Sequence, residues 1–256
     1  MFVRCLLISA AVGVAVIAPM HGLAADLAFA ENFLSGSKQI VTFPVGDPSQ
    51  MTPVGAPQTD TFGGMDFTPD ASVLWAIDFT AQTIGTVDQS TGVYTPSASI
   101  QGGCCVKALT IDPASGAFYV SRDDRYVYAI DPATGVTTLI AAGAAIGAQI
   151  TAMAADCNGR LFTFDANAAG AILYEAHFDG EPTLVGAPGY IGPTAIDFDN
   201  ETGVLYGWFN ASPNTYSTHA MVSATTGLLS QISQVEGRYR MAIRNRCSIF
   251  ANGFET

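Results

Sequence analysis

Aspartates recur at matching places along this 256-residue chain, and they are the first residues to test for chemistry. Asp66, Asp112, Asp156, Asp197 and Asp199 each stand near the end of a short apolar run. Carboxylates gathered at such points can act as acids and bases or hold a hard cation through oxygen. The run Asp197-Phe198-Asp199-Asn200-Glu201 has the oxygen density that calcium favours, so Asp197, Asp199 and Glu201 form a candidate metal set, although the spacing of a twelve-residue calcium loop is missing. The competing reading is structural: Asp favours turns because its side chain bonds the backbone just beyond it. Only Asp66 and Asp197 stand in the middle of an expected strand, which makes them the candidate catalytic pair of a metal-assisted hydrolase or lyase.

Arginines cluster near the C-terminus, at Arg238, Arg240, Arg244 and Arg246. On a strand Arg240 and Arg244 project to the same side, where they would hold a carboxylate or phosphate, or else pair with acidic turns. Four cysteines, Cys104, Cys105, Cys157 and Cys247, follow the early Cys5. His177 and His219 are expected on loops. Zinc-ligand spacing, a Gly-x-Ser-x-Gly elbow and a phosphate-binding glycine loop are all missing from the sequence.

The elements that position these residues follow a repeat. Gly64-Met65-Asp66, Ala108-Leu109-Thr110, Ala152-Met153-Ala154, Ala195-Ile196-Asp197 and Arg240-Met241-Ala242 recur at intervals of 44, 44, 43 and 45 residues. Behind each start come short alternating runs separated by turns such as Asp112-Pro113-Ala114-Ser115-Gly116 and Asp131-Pro132-Ala133-Thr134-Gly135. Four strands in such a period predict one blade of a β-propeller. Residues 38–54 read as the outer half of a further unit and residues 241–249 as its inner half. The expected fold is therefore all-β: a five-bladed propeller of four-stranded blades, one of them closed by both termini.

Composition bounds the rest. Ten Lys and Arg stand against 22 Asp and Glu, giving a net charge of −12 that argues against nucleic-acid binding. Residues 1–25 read as a secretory leader: Arg4 precedes an apolar run too short to span a membrane, and small residues precede Asp26. The expected organisation is a leader (1–25), a propeller domain (26–250) and a short tail (251–256), with the mature chain secreted or periplasmic and without a transmembrane span. In an oxidising compartment disulfides form. Cys104 and Cys105 lie ahead of an innermost strand, whereas Cys157 and Cys247 follow one, so the two sets belong on opposite faces. Cys104 then pairs with Cys105 as a vicinal ring, or both stay reduced. Cys157 and Cys247 pair only if their turns converge.

The segments Leu109-Thr110-Ile111-Asp112-Pro113-Ala114-Ser115-Gly116 and Val127-Tyr128-Ala129-Ile130-Asp131-Pro132-Ala133-Thr134-Gly135 resemble the secreted propellers of the YVTN and quinoprotein-like groups. They are similar also to bacterial repeats of the form Leu-Tyr-x-Ile-Asp-Pro-Ala-Thr-Gly, and the likeness extends over residues 31–250. The resemblance implies the fold; propellers of this kind host unrelated functions. Gluconolactonase-type propellers hold a metal with Glu, Asn and Asp of innermost strands, and here no Glu or Asn accompanies Asp66 and Asp197 there. The tryptophan-rich motifs of quinone enzymes are missing, since the chain has only Trp75 and Trp208. Residues 249–255 resemble short Gly-Phe-Glu sorting tails. The expectation is a non-enzymatic module that binds a protein or a small anionic ligand and needs no cofactor, with calcium the one candidate ion; the channel enzyme is the alternative.

Overall fold

The structure, a computed structural model, describes residues 26–33, 38–103, 105–140, 149–167, 170–177, 181–189, 191–211, 215–244 and 246–247. The expected leader and tail lie outside them. The strands in chain order are β1 (Leu27–Asn32), β2 (Lys38–Pro44) and β3 (Thr52–Gln58), then β4 (Phe62–Phe67), β5 (Leu74–Asp78), β6 (Thr83–Val87) and β7 (Tyr94–Ser99). Next come β8 (Val106–Ile111), β9 (Phe118–Arg122), β10 (Val127–Ile130) and β11 (Thr137–Leu139), and β12 (Ile150–Ala155), β13 (Leu161–Asn167), β14 (Gly170–Ala176) and β15 (Thr183–Gly186). The last are β16 (Ile191–Asp199), β17 (Val204–Asn210), β18 (Tyr216–Val222), β19 (Leu229–Glu236) and β20 (Tyr239–Arg244). They form five antiparallel four-stranded sheets, which are the five expected blades: β4–β7, β8–β11, β12–β15, β16–β19, and a closing blade ordered β20-β1-β2-β3. The innermost strands β4, β8, β12, β16 and β20 pack in a closed ring, each against the next. They begin at one face of the disc, the entry face, and end at the other, the exit face. No described helix is long and apolar enough to cross a membrane.

Turn chemistry builds each blade. In the turn from Asp131 to Gly135 the Ala133 N–H donates to Asp131 Oδ1 (2.9 Å) and the Gly135 N–H to the Asp131 carbonyl (2.8 Å). Gly135 ends the turn at φ +71°, a conformation glycine adopts without steric penalty. The same turn recurs from Asp88 to Gly92, with the Gly92 N–H on the Asp88 carbonyl at 2.8 Å.

A four-stranded sheet cannot bury both of its faces alone, so the blades stack. The described core falls into five apolar clusters, each lying in one interface between neighbouring blades. Alternation decides which interface a residue serves. On the closing blade Ala28, Ala30, Met241 and Ile243 pack toward β16–β19, while Phe29 and Ala242 pack toward β4–β7.

The closing blade departs from expectation in how the termini divide it. The N-terminal part supplies three strands and the C-terminal part only β20, which pairs with β1 from Leu27↔Arg244 to Asn32↔Tyr239. The physical reason lies three residues past β20. Cys247 is disulfide-bonded to Cys157, with Cα atoms 5.6 Å apart, which draws the chain beyond β20 toward the blade of β12. Both cysteines follow innermost strands at the exit face, so their turns do converge.

Candidate functional site

Asp66 on β4 and Asp197 on β16 occupy the same level of their blades, and each reaches forward to the next innermost strand. Asp66 Oδ2 accepts from the Ile111 N–H (2.6 Å) and the Thr110 hydroxyl (2.9 Å), while its Oδ1 accepts from the Phe67 N–H (2.7 Å). Asp197 Oδ2 accepts from the Ile243 N–H (2.6 Å) and Oδ1 from the Phe198 N–H (2.8 Å). Burial pushes Asp66 up to about 6, against these hydrogen bonds. Asp197 is raised well above the carboxylate range, first by burial and then by the charge of Asp66. The two share an axial cavity near the exit face, of about 10 Å³, which is room for one water. Chemically they are two buried acids on one small cavity, both held above the ordinary carboxylate range, and structurally they tie blade to blade.

The proposed metal set does not converge. Asp199 Oδ1 accepts from the Glu201 and Thr202 N–H groups, both at 3.1 Å, which is the turn geometry that Asp favours. Asp156 does likewise, accepting the Asn158 N–H at 2.9 Å and pairing with Arg160 at 2.6 Å. Asp112 takes the Ala114 N–H at 2.9 Å. Among the described residues no three His, Cys, Asp or Glu side chains come together as ligands for a metal ion. Asp26 hydrogen-bonds the Asp199 carboxyl and is pushed up to about 7 by burial and by that acidic neighbour.

Arg240 and Arg244 do share a side of β20, but they stand at opposite ends of it, four residues or about 13 Å apart. Arg240 sits at the entry end. Its Nε donates to the Phe62 carbonyl (3.3 Å) and a terminal nitrogen to the Thr194 carbonyl, and its guanidinium lies 4.8 Å from the Phe33 ring. Arg244 is exposed at the exit face, where it lines an open pocket of about 350 Å³ with Asp26, Ala71, Glu201 and Arg246.

Three buried polar residues escaped the sequence reading. Glu31 on β1 is fully buried opposite Arg240. Its Oε2 accepts the Phe62 N–H (2.9 Å), and its Oε1 has no hydrogen-bond partner among the described residues. Burial pushes Glu31 up to about 8, against the pull of that N–H and of Arg240 and Lys38. His219 was expected on a loop and instead lies fully buried on β18. There its Nε2 bonds the Val45 carbonyl (2.8 Å), and Trp208, Tyr206 and Phe43 pack around the ring. The strand-favouring Tyr216, Thr218 and Val222 around it were the signal that pointed to a strand. His177 does follow β14 as a loop residue, bonded to Thr183 Oγ1 at 2.9 Å.

Arg122, the third, organises the loop ahead of β8. It donates to the carbonyls of Gly102 (2.6 Å) and Gln101 (2.7 Å) and to the Thr137 hydroxyl, with its guanidinium 4.1 Å from the Tyr128 ring centre. From the other side Gln82 Oε1 accepts the N–H groups of Cys105 (2.8 Å) and Val106 (3.0 Å). Cys105 has a φ of +75° and is disulfide-bonded. Cys104, its expected partner, lies outside the described residues.

No family model matches the chain, and no curated protein matches it in sequence. Solved structures do share its fold. A chain of the nidogen/laminin complex aligns with a TM-score of 0.59 and 12% identity over 87% of this chain and 99% of that one. TolB from Acinetobacter baumannii aligns with a TM-score of 0.54 and 12% identity over 87% of this chain and 67% of that one. At such identities the likeness is one of architecture: these neighbours are β-propellers.

Proposed function

We propose that this chain is a secreted or periplasmic β-propeller that binds a protein partner through its entry face, around the loop of residues 100–105. The observation that carries the reading is the pre-set backbone of that loop. Arg122 holds its carbonyls from one blade and Gln82 its N–H groups from the preceding one. A loop already fixed in shape loses little entropy on association. A bridge between Cys104 and Cys105 would add a rigid floor. The fold is one that also occurs in a complex of two proteins, nidogen and laminin. The small-residue pattern ahead of Asp26 supports export.

The axis offers less. Its two small cavities each have room for about one water, of about 10 Å³, and the carboxylates of Asp66 and Asp197 are held by backbone N–H groups. The convergence of those two buried acids on one cavity is the one observation that favours the hydrolase or lyase reading.

A photo-crosslinking residue placed at Asp124, on the entry face, and separately at Glu201, on the exit face, tests the proposal in the producing cell. Adducts formed at position 124 and not at 201 support it. Adducts at 201 alone would move the binding surface to the other face. Metal-dependent turnover lost in both Asp66→Asn and Asp197→Asn would replace the reading with the enzymatic one.

A further inference from the structure

The mouth of the axial channel breaks the repeat in one place. Four innermost strands carry an irregularity in pairing at the same level, between Phe62 and Gly64, Val106 and Ala108, Ile150 and Ala152, and Pro193 and Ala195. Each is followed by a residue no larger than alanine. The fifth, β20, pairs without interruption, and at the level of Gly64, Ala108, Ala152 and Ala195 it presents Arg240. Bulges leave backbone groups unpaired. Two carbonyls at this level, those of Phe62 and Thr194, are taken up by the Arg240 guanidinium.

Those two bonds use two of the five N–H groups of an arginine. No described carboxylate forms an ion pair with Arg240 within 4.0 Å. The adjoining cavity, of about 10 Å³, is lined by Gly63, Gly64, Thr151, Thr194 and Arg240 among others, and by no carboxylate. The Thr151 hydroxyl, on a strand across the ring from β20, is buried there without a hydrogen-bond partner among the described residues. Arg240 is half-buried and keeps N–H groups beyond the two carbonyl bonds, and a counter-ion relieves the cost of taking a cation even partly out of water.

We propose that this cavity binds a single halide-sized anion, chloride in a cell, between the Arg240 guanidinium and the Thr151 hydroxyl. A space of this size suits a monatomic anion better than a phosphate or a carboxylate, which separates this site from a substrate pocket and from the protein-binding reading above. Glu31, the nearest acid in the pairing register, is pushed up to about 8 by burial and so carries a proton at neutral pH, leaving Arg240 without its charge. The ion would then act as the hub of the ring, tying the closing blade to the opposite side of the channel.

The test is thermal unfolding of the whole protein at constant ionic strength, with sodium gluconate replaced stepwise by sodium chloride, bromide or sulfate. A saturable rise in Tm with chloride and bromide is expected, whereas sulfate, which stabilises proteins in general by exclusion from their surface, should give no saturable rise. Thr151→Val, which keeps shape and removes only the hydroxyl, should fold and require at least tenfold more chloride for half of the rise. Arg240→Gln should abolish the rise or fail to fold; the threonine variant decides in either case. Equal Tm in chloride and gluconate would overturn the proposal in favour of a bound water. An unchanged chloride response in Thr151→Val, or an equal saturable rise in sulfate, would also overturn it by placing the anion elsewhere.

Discussion

Replacing Glu31 with glutamine should make the protein more stable at alkaline pH while changing little at acid pH. Glu31 is fully buried on β1 with one carboxylate oxygen on the Phe62 N–H and the other without a partner, facing Arg240, Lys38 and Asp78. Its pKa rises from 4.5 to about 8 on folding. A carboxyl raised in this way contributes its full stability below the unfolded value and loses it as pH climbs through the folded one. Between pH 4.5 and 8 the unfolded chain has released the proton that the folded protein keeps. At about 1.4 kcal/mol per unit, the stability lost to this group across that window is on the order of 5 kcal/mol. Glutamine has the shape of the protonated acid and retains an oxygen for the Phe62 N–H, but it cannot ionise. Urea unfolding of both proteins at pH 5, 7 and 9 reads the difference directly. The other raised acids, Asp26, Asp66 and Asp197, are common to both proteins and cancel. The variant should match the wild type at pH 5 and exceed it by several kcal/mol at pH 9. A gap that does not change with pH would refute the argument, because Glu31 would then be ionised and satisfied in the folded state.

His219 works in the opposite sense. Burial holds its pKa at about 4 against 6.5, so stability falls as pH drops from 6.5 toward 4, by about 3 kcal/mol, and the stability gap to His219→Gln should shift by that amount between pH 7 and pH 4. Gly135→Ala places a Cβ 2.0 Å from the Ser99 carbonyl oxygen, whereas Gly203→Ala, at an almost equal φ of +72°, meets nothing within 4 Å. Calorimetry should show the second losing about 1–2 kcal/mol for the left-handed backbone and the first clearly more. Replacing both Cys157 and Cys247 with serine opens a covalent loop with a sequence separation of 90 and should cost about 4–5 kcal/mol by chain entropy, measured as a lower urea midpoint.

The ring was legible in the sequence because each blade repeats its own turn chemistry, and Asp131 through Gly135 announces a hairpin without reference to the rest of the molecule. The division of the closing blade was not. The residues of β1 form a short run with no turn before it, and the pull of Cys247 toward Cys157 exists only once the blades are arranged in space. Asp66 and Asp197 could be placed on innermost strands from the repeat alone, though both lie toward the strand ends rather than in the middle. Their engagement with Ile111 and Ile243 could not, since those donors belong to the next blade. For the arginines, alternation correctly put Arg240 and Arg244 on one side of a strand but said nothing of height, and four residues of extended chain carry them to opposite faces. Glu31 and Arg122 left almost no mark, because a lone charged residue at the end of an apolar run reads as a solvent-facing one.

The one-and-three division of the closing blade sets a clock on biosynthesis. Three of its strands are made first and the fourth is made last; the pairing of Leu27 with Arg244 joins residues 217 positions apart. Until β20 has been synthesised, the inner edge of β1 has no partner and the ring of innermost strands lacks its member between β16 and β4. Pairing at such separation is slow, because the entropy of closing the loop is spent before any contact repays it. A nascent chain of this design leaves its ring unsealed for almost the whole of its translation.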